Sequence, residues 1–254
     1  MNHPLLDLSL FRWIKSQTNE TDREALLSLR EAICDVAGSY RYAEVGSHLG
    51  GSLQPHVVDD RCVTIFSIDP RPLEQPDERW TVKYQYEGNS TNRMLALLST
   101  IPKANIDKIR TFEACSWELS PDSISEPVDF AFIDGEHTNS AVFRDFTSVR
   151  KFLASAAILA FHDCFVTPSA FLAISRILSR ERPPSPFLYF PSSKVLAVVF
   201  GSTRLEQALL NFGWRKELPL SRWDSIKTPI KRRIRSIRWI MPLLRRCKRR
   251  LSGN

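Results

Sequence analysis

The sequence predicts a doubly wound α/β domain, a mainly parallel sheet closed by an antiparallel hairpin. Three observations lead there. Short apolar runs alternate with helical patterns along the chain. One of them, residues 41–45, enters the glycine-rich turn Gly46-Ser-His-Leu-Gly-Gly-Ser52. Another, residues 128–133, is almost wholly apolar, as a strand buried on both faces should be.

Each element follows from its pattern. Residues 5–40 read as helical: Leu5, Leu8, Phe11 and Ile14 share one face, and a second run, 25–33, follows Thr21-Asp22 as an N-cap. Residues 41–45 form the first strand, 50–58 begin a short helix, and 63–68 form the second strand. The stretch 73–92 is irregular and polar, and 94–98 is helical. Residues 109–112, 128–133 and 157–161 make three further strands, with helices over 141–153 and 168–180. Residues 187–190 and 195–200 flank Pro191-Ser-Ser-Lys194 and form the closing hairpin.

Bulk properties bound the rest. With 254 residues and 43% hydrophobic content, the chain suits one sizeable α/β domain with terminal additions. The domain division expected is a helical segment over 1–37, the cofactor-binding domain over 38–202, and an extension over 203–254. No apolar run approaches the ~20 residues that span a bilayer, and the N-terminus lacks a basic stretch leading into an apolar one. Five scattered cysteines without zinc-like spacing fit a reducing compartment, so a cytoplasmic location is expected.

The net charge of +7 belongs to the end of the chain. From Lys227 to Leu251 there are eleven basic and no acidic residues, leaving 24 basic against 28 acidic residues elsewhere. Ile230, Ile234, Ile237 and Met241 fall on one helical stripe among these charges. Residues 227–251 thus read in three ways: a helix on an anionic membrane surface at the inner face, a helix docked by its isoleucines, or a polyanion contact. Nucleic acid is disfavoured for the body, which is mildly acidic.

Two constellations carry chemistry. The glycine turn holds Gly46, Gly50 and Gly51, and the next strand ends in Asp69, 23 residues after Gly46. Glycines let the backbone approach a ligand, and an acid at the following strand tip can accept ribose hydroxyls. Ser47 stands where a dinucleotide fingerprint has its second glycine, which disfavours a nicotinamide enzyme. The second constellation is Asp134-Gly-Glu-His137 with His162-Asp163, at the ends of two parallel strands. Asp134 and Asp163 can bind a hard cation through oxygen, and either histidine can take a proton near neutrality. The plainer alternatives are helix caps for the acids and a satisfied strand-end histidine.

These segments together resemble the class I S-adenosylmethionine-dependent methyltransferases, over roughly residues 38–202. The likeness is greatest to the branch with Ile-Asp-Gly-Asp-His and His-Asp motifs, which includes sugar and natural-product O-methyltransferases. The resemblance implies a Rossmann-like fold and S-adenosyl-L-methionine as cofactor. By it, Glu44, Gly46, Ser47, Gly50, Gly51 and Ser52 would hold the methionine part, and Asp69 the ribose. Cys115, Ser116 and Trp117 would border the adenine. His137 would be the general base, and Asp134, His162 and Asp163 would bind magnesium. Two departures stand out: Glu136 replaces the commoner aspartate, and His162 is a poor magnesium ligand, which leaves the metal requirement open. The acceptor implied is a hydroxyl of a sugar, glycan or glycosylated small molecule. A homo-oligomer is compatible with the sequence. The rival from another class is a non-catalytic module that binds membrane or polyanion through the basic tail.

Overall fold

The structure, a computed structural model, describes residues 6–79 and 83–216. Nine strands and six α-helices occur among them: α1 Glu20–Ala37, β1 Tyr40–Val45, α2 Gln54–Val57, β2 Cys62–Ile68, β3 Glu74–Gln75, β4 Tyr84–Gln85, α3 Thr91–Ser99, β5 Ile109–Phe112, β6 Val128–Ile133, α4 Asn139–Val149, β7 Leu153–Phe161, α5 Pro168–Leu178, β8 Phe187–Tyr189, β9 Leu196–Phe200 and α6 Thr203–Asn211.

Seven strands form one sheet in the order β5-β2-β1-β6-β7-β9-β8. The first five are parallel; β9 runs antiparallel to β7, and β8 to β9. Alternate side chains divide into two cores, as a sheet covered on both faces requires. Tyr40, Tyr42, Phe130, Phe132, Ile158 and Ala160 pack on one side with residues of α1, α3 and α6. Ala43, Val45, Ala131, Ile133, Leu159 and Phe161 pack on the other with residues of α4 and α5.

The predicted strands are all present, and the departures are local. The N-terminal apolar stripe is not an α-helix but a single 3-10 turn over Leu8–Phe11. The cap of α1 is Asn19, not Thr21: its side chain accepts from the Asp22 amide, and the Asp22 carboxylate accepts back from the Asn19 amide. Within the stretch expected to be irregular, β3 and β4 pair as a small antiparallel hairpin. Neither Asp134 nor Asp163 caps a helix; Thr138 caps α4, and Thr167 precedes α5. The basic segment 227–251 lies outside the described residues. No described helix is long and apolar enough to cross a membrane.

The N-terminal turn is fastened to the glycine loop by one side chain. Gln54, fully buried, accepts from the Trp13 and Ile14 amides at 2.9 and 2.8 Å and donates to the Ile14 and Gly51 carbonyls at 2.7 Å. Gly51 fits here because a Cβ would lie 2.8 Å from the Ser16 Cα. Gln54→Ala should therefore cost about 2–4 kcal/mol, since it strands several buried amides and carbonyls at once. Chemical denaturation of the two proteins checks this.

Candidate active site at the carboxyl edge of the sheet

Strand order reverses between β1 and β6, and such a switch point opens a crevice beyond the carboxyl ends of the strands. The register aligns those ends. Val45 pairs with Ile68 and Ile133, Ile133 with Phe161, and Ile68 with Phe112. The next residue in each of four chains is then Gly46, Asp69, Asp134 or His162. Four separate motifs therefore meet at one level.

The glycine loop is locked from below. Gly46 has φ +87°, and a Cβ there would stand 2.4 Å from the Asp134 carbonyl oxygen and 2.6 Å from the Gly135 Cα. Only glycine meets both demands. Gly50 also has positive φ and packs against Leu98. The Ser47 hydroxyl lies 2.6 Å from that of Ser67 in the interior. Glu44 is fully buried: it accepts from the Tyr42 hydroxyl at 2.7 Å and from the Ser52 hydroxyl. Burial pushes the Glu44 carboxyl up to about 8. His48 takes a left-handed conformation, φ 44°, and its Nε2 is buried with no hydrogen-bond partner among the described residues.

Asp69 lies at the tip of β2, as expected, and holds the loop. Its Oδ2 accepts from the His48 amide at 2.8 Å and its Oδ1 from the Arg71 amide at 2.7 Å. Arg71 turns its buried guanidinium beneath the loop. It reaches the His48 carbonyl, the Ser67 and Ser47 hydroxyls at 3.0 and 3.2 Å, and Asp69 at 3.4 Å. Asp69 Oδ2 is taken by the His48 amide and the Arg71 guanidinium, and Oδ1 retains a further lone pair.

After β5, a short turn spans Ser116–Glu118. Ser116 is buried and donates at 2.5 Å to Asp145 of α4, while the Arg144 guanidinium lies 5.4 Å from the Trp117 ring centre. Burial raises the Asp145 carboxyl to about 7. An unfolded aspartate titrates near ~4. Between these values the native state keeps a proton that the unfolded chain has released, so this group's contribution to stability falls as pH rises. Asp145→Asn should thus raise the melting temperature more at pH 8 than at pH 5, read by thermal melts at both.

The acid–histidine constellation assembles as a tight cluster. His162 is buried between two carboxylates, its Nε2 3.2 Å from Asp22 Oδ2 and its Nδ1 3.1 Å from Asp134 Oδ1. Burial alone would lower its pKa, but the Asp134, Asp22 and Asp163 carboxylates outweigh this and push it to about 10. His137 Nε2 lies 3.4 Å from Asp134 Oδ1 and 3.7 Å from Asp163 Oδ2. Its Nδ1 lies 3.2 Å from Asp77 Oδ2 and 3.0 Å from Arg79 Nη2. Burial opposes protonation of His137 too, yet Asp134 and Asp163 raise its pKa above the ordinary value. An imidazolium Nδ1–H donates to Asp77, leaving Arg79 to bind carboxylates. Burial would raise the Asp134 carboxyl, but the two imidazoles hold it well below the usual range. Asp163, with φ 46°, accepts from Arg79 at 2.8 Å and faces Lys194 at 3.4 Å. Glu136 accepts from Thr138 and stands apart from the cluster's contacts.

Asp134, His137 and His162 each offer one ligand atom, all within 4.8 Å of one another. Magnesium takes oxygen ligands in a near-octahedral shell and retains waters. A donor set with a buried imidazole nitrogen at its centre does not fit it.

Three members of the cluster escaped the sequence. Asp22 comes from α1, where its only visible signal was helix capping. Asp77 and Arg79 come from the polar stretch beside β3, which docks on the β6–α4 turn. There the Glu78 amide donates to the His137 carbonyl at 3.1 Å, and the Glu78 carboxylate accepts from the Asn139 amide at 2.8 Å. No local pattern marks these positions; Arg71 was equally silent.

Comparison with known proteins bears on the fold. Residues 43–164 match the family described as a methyltransferase domain. No curated protein matches the chain. Among solved structures, the O-methyltransferase NovP superposes with a TM-score of 0.55 at 14% identity, covering 71% of this chain and 81% of its own. CalS11, described as a TDP-rhamnose 3'-O-methyltransferase of calicheamicin biosynthesis, superposes at 0.50 with 16% identity, covering 79% and 89%. At these identities the likeness is one of fold. The described residues have a Rossmann-like fold shared with these solved methyltransferase structures, and the methyltransferase-domain match runs from within β1 to just past His162-Asp163.

Proposed function

We propose that this protein is an S-adenosylmethionine-dependent O-methyltransferase acting on a hydroxyl of a sugar, glycan or glycosylated small molecule. The observation that carries this reading is the meeting of the glycine loop and the Asp–His cluster at one switch point, joined through the contact of Gly46 with Asp134. The acceptor class follows the fold neighbours, one of which is described as methylating TDP-rhamnose.

The cofactor fits the residues on its side of the crevice. Asp69 Oδ1 keeps a lone pair for a ribose hydroxyl, and the orphaned His48 Nε2 marks a polar place on the loop. When bound, the cofactor supplies an electrophilic methyl on a sulfonium, whose carbon–sulfur bond breaks as the acceptor oxygen bonds to carbon. The chain's task is orientation and proton removal. His137 is the base: its Nδ1 is held by Asp77 and its Nε2 lies at the strand ends beside Asp134 and Asp163. In its neutral form it takes the hydroxyl proton on Nε2. Asp134 and Asp163 stabilise the resulting imidazolium. No metal step is needed for this balance.

Calorimetric titration with S-adenosylhomocysteine tests the reading. Micromolar binding is expected in the wild type, and loss of it in Asp69→Ala with a cooperative melt retained. A folded wild type that binds none would end the proposal.

A further inference from the structure

The small hairpin of β3 and β4 has two unlike faces. Its register pairs Gln75 with Tyr84 and Glu74 with Gln85, and the Tyr86 amide donates to the Leu73 carbonyl at 2.7 Å. Residues directly opposite in such a pair share a face, and neighbours along a strand alternate. Leu73, Gln75, Tyr84 and Tyr86 therefore stand on one face. Glu74 lies on the other, where its carboxylate binds Lys83 and accepts from Gln85 at 3.2 Å.

The first face is apolar and only half covered. The centre of the Tyr86 ring lies 5.2 Å from that of His48 and 4.9 Å from that of Tyr84. Four large apolar side chains are exposed among the described residues, and two of them, Leu73 at 66% and Tyr84 at 39%, stand here. A two-stranded hairpin is marginal in water unless its apolar face is covered, and an exposed apolar patch marks a binding surface. At Tyr86 this face adjoins the glycine loop. Two residues past Gln75 comes Asp77, whose carboxylate lies 3.2 Å from His137 Nδ1. An occupant of the face thus lies beside both the cofactor loop and the proposed base.

Charge narrows the occupant. The cluster at His137 and His162 holds four carboxylates, Asp22, Asp77, Asp134 and Asp163, and three cations, Arg79, Lys194 and the His162 imidazolium. Arg79 is already paired with Asp77 and Asp163, and Lys194 with Asp163. With His137 neutral, as a base must be, the cluster has one negative charge in excess. A diphosphate brought there meets repulsion and finds no unpaired cation among these groups.

We infer that the acceptor is a sugar already joined to an apolar aglycone, with the aglycone on Leu73, Tyr84 and Tyr86, and not a nucleoside diphosphate sugar. The inference rests on the proposed methyl transfer and narrows its acceptor. The neighbour described as acting on TDP-rhamnose, at 16% identity, shares the fold alone. Leu73 and Tyr84 are then specificity-determining residues, and Gln75 offers an amide for hydroxyls beside them. Such an acceptor is supplied by a glycosyl transfer, in which a nucleoside diphosphate leaves as the glycosidic bond forms. Methylation follows that step.

The test is methyl transfer from radiolabelled S-adenosylmethionine to p-nitrophenyl rhamnoside and p-nitrophenyl glucoside, each against its TDP-sugar counterpart. At least one aryl glycoside should be used with kcat/KM about tenfold or more above its counterpart. Tyr84→Ala should raise the KM for it about three- to tenfold, the worth of one aromatic contact, and Tyr84→Phe should restore the wild-type value. Leu73→Ser, at an exposed position, is the second variant and should move KM in the same direction. S-adenosylhomocysteine affinity should be the same in all three variants as in the wild type. Equal or better use of the TDP sugars overturns the inference. So does an unchanged KM in both Tyr84→Ala and Leu73→Ser, or turnover of none of the four sugars by protein that binds S-adenosylhomocysteine. Those results leave the methyltransferase reading standing. A folded wild type that binds no S-adenosylhomocysteine ends both.

Discussion

Gly46→Ala is expected to be strongly destabilising for a change of one methyl group. The added Cβ would stand 2.4 Å from the Asp134 carbonyl oxygen, a backbone atom just past the end of β6. The residue must also keep φ near +87°, where an L side chain is strained. Strain and clash together cost on the order of 4 kcal/mol. For a chain of this size that lowers the melting temperature by about 8–16 °C. The clash cannot be relieved by rotating a side chain. Either β1 and β6 separate at their ends, or the turn after β6 moves and carries Asp134 away from both histidines. Under the proposed function, S-adenosylhomocysteine binding falls in the same variant. Gly38 makes the contrast: it also has positive φ, but its Cβ would meet nothing within 4 Å, so Gly38→Ala should lose only the backbone term. A scan of thermal melts for both variants checks the difference, and equal losses would contradict the close-approach account.

The second large effect falls on chemistry. His137→Ala should lower turnover by about 10²- to 10⁴-fold, the usual worth of a positioned base, while cofactor affinity stays unchanged. The split is expected because His137 contacts Asp77, Asp134, Asp163 and Arg79 rather than the glycine loop. The wild-type rate should also rise with pH. The surrounding carboxylates favour the imidazolium, and only the neutral imidazole accepts a proton, so the acidic limb of the profile should lie above the ordinary histidine value of ~6.5. Rate measurements across pH with an acceptor that the wild type methylates, for wild type and variant, decide it. Full activity in the variant would remove His137 as the base.

Much of this architecture follows from the sequence alone. The four central parallel strands, β1, β2, β6 and β7, are short, largely apolar runs, and each is followed directly by glycine, aspartate or histidine. Parallel strands place those ends on one edge, so Gly46, Asp69, Asp134 and His162 could be grouped before any coordinates were known. Local patterns fail where an interaction is decided by packing between distant elements. Asp22 reads as a helix cap because its sequence neighbours ask only for a cap, yet it meets His162 from 140 residues away. Asp77 and Arg79 lie in a polar stretch with no periodicity, and the docking of that stretch on the β6–α4 turn brings them to His137 and Asp163. Ser116, which the resemblance sets at the adenine, turns its hydroxyl to a buried carboxyl on α4. Hydrophobic periodicity is written residue by residue, so the strands and their tips belong to the sequence. Which distant charge balances a buried imidazole depends on how helices and loops settle on the sheet, and only the tertiary structure decides that.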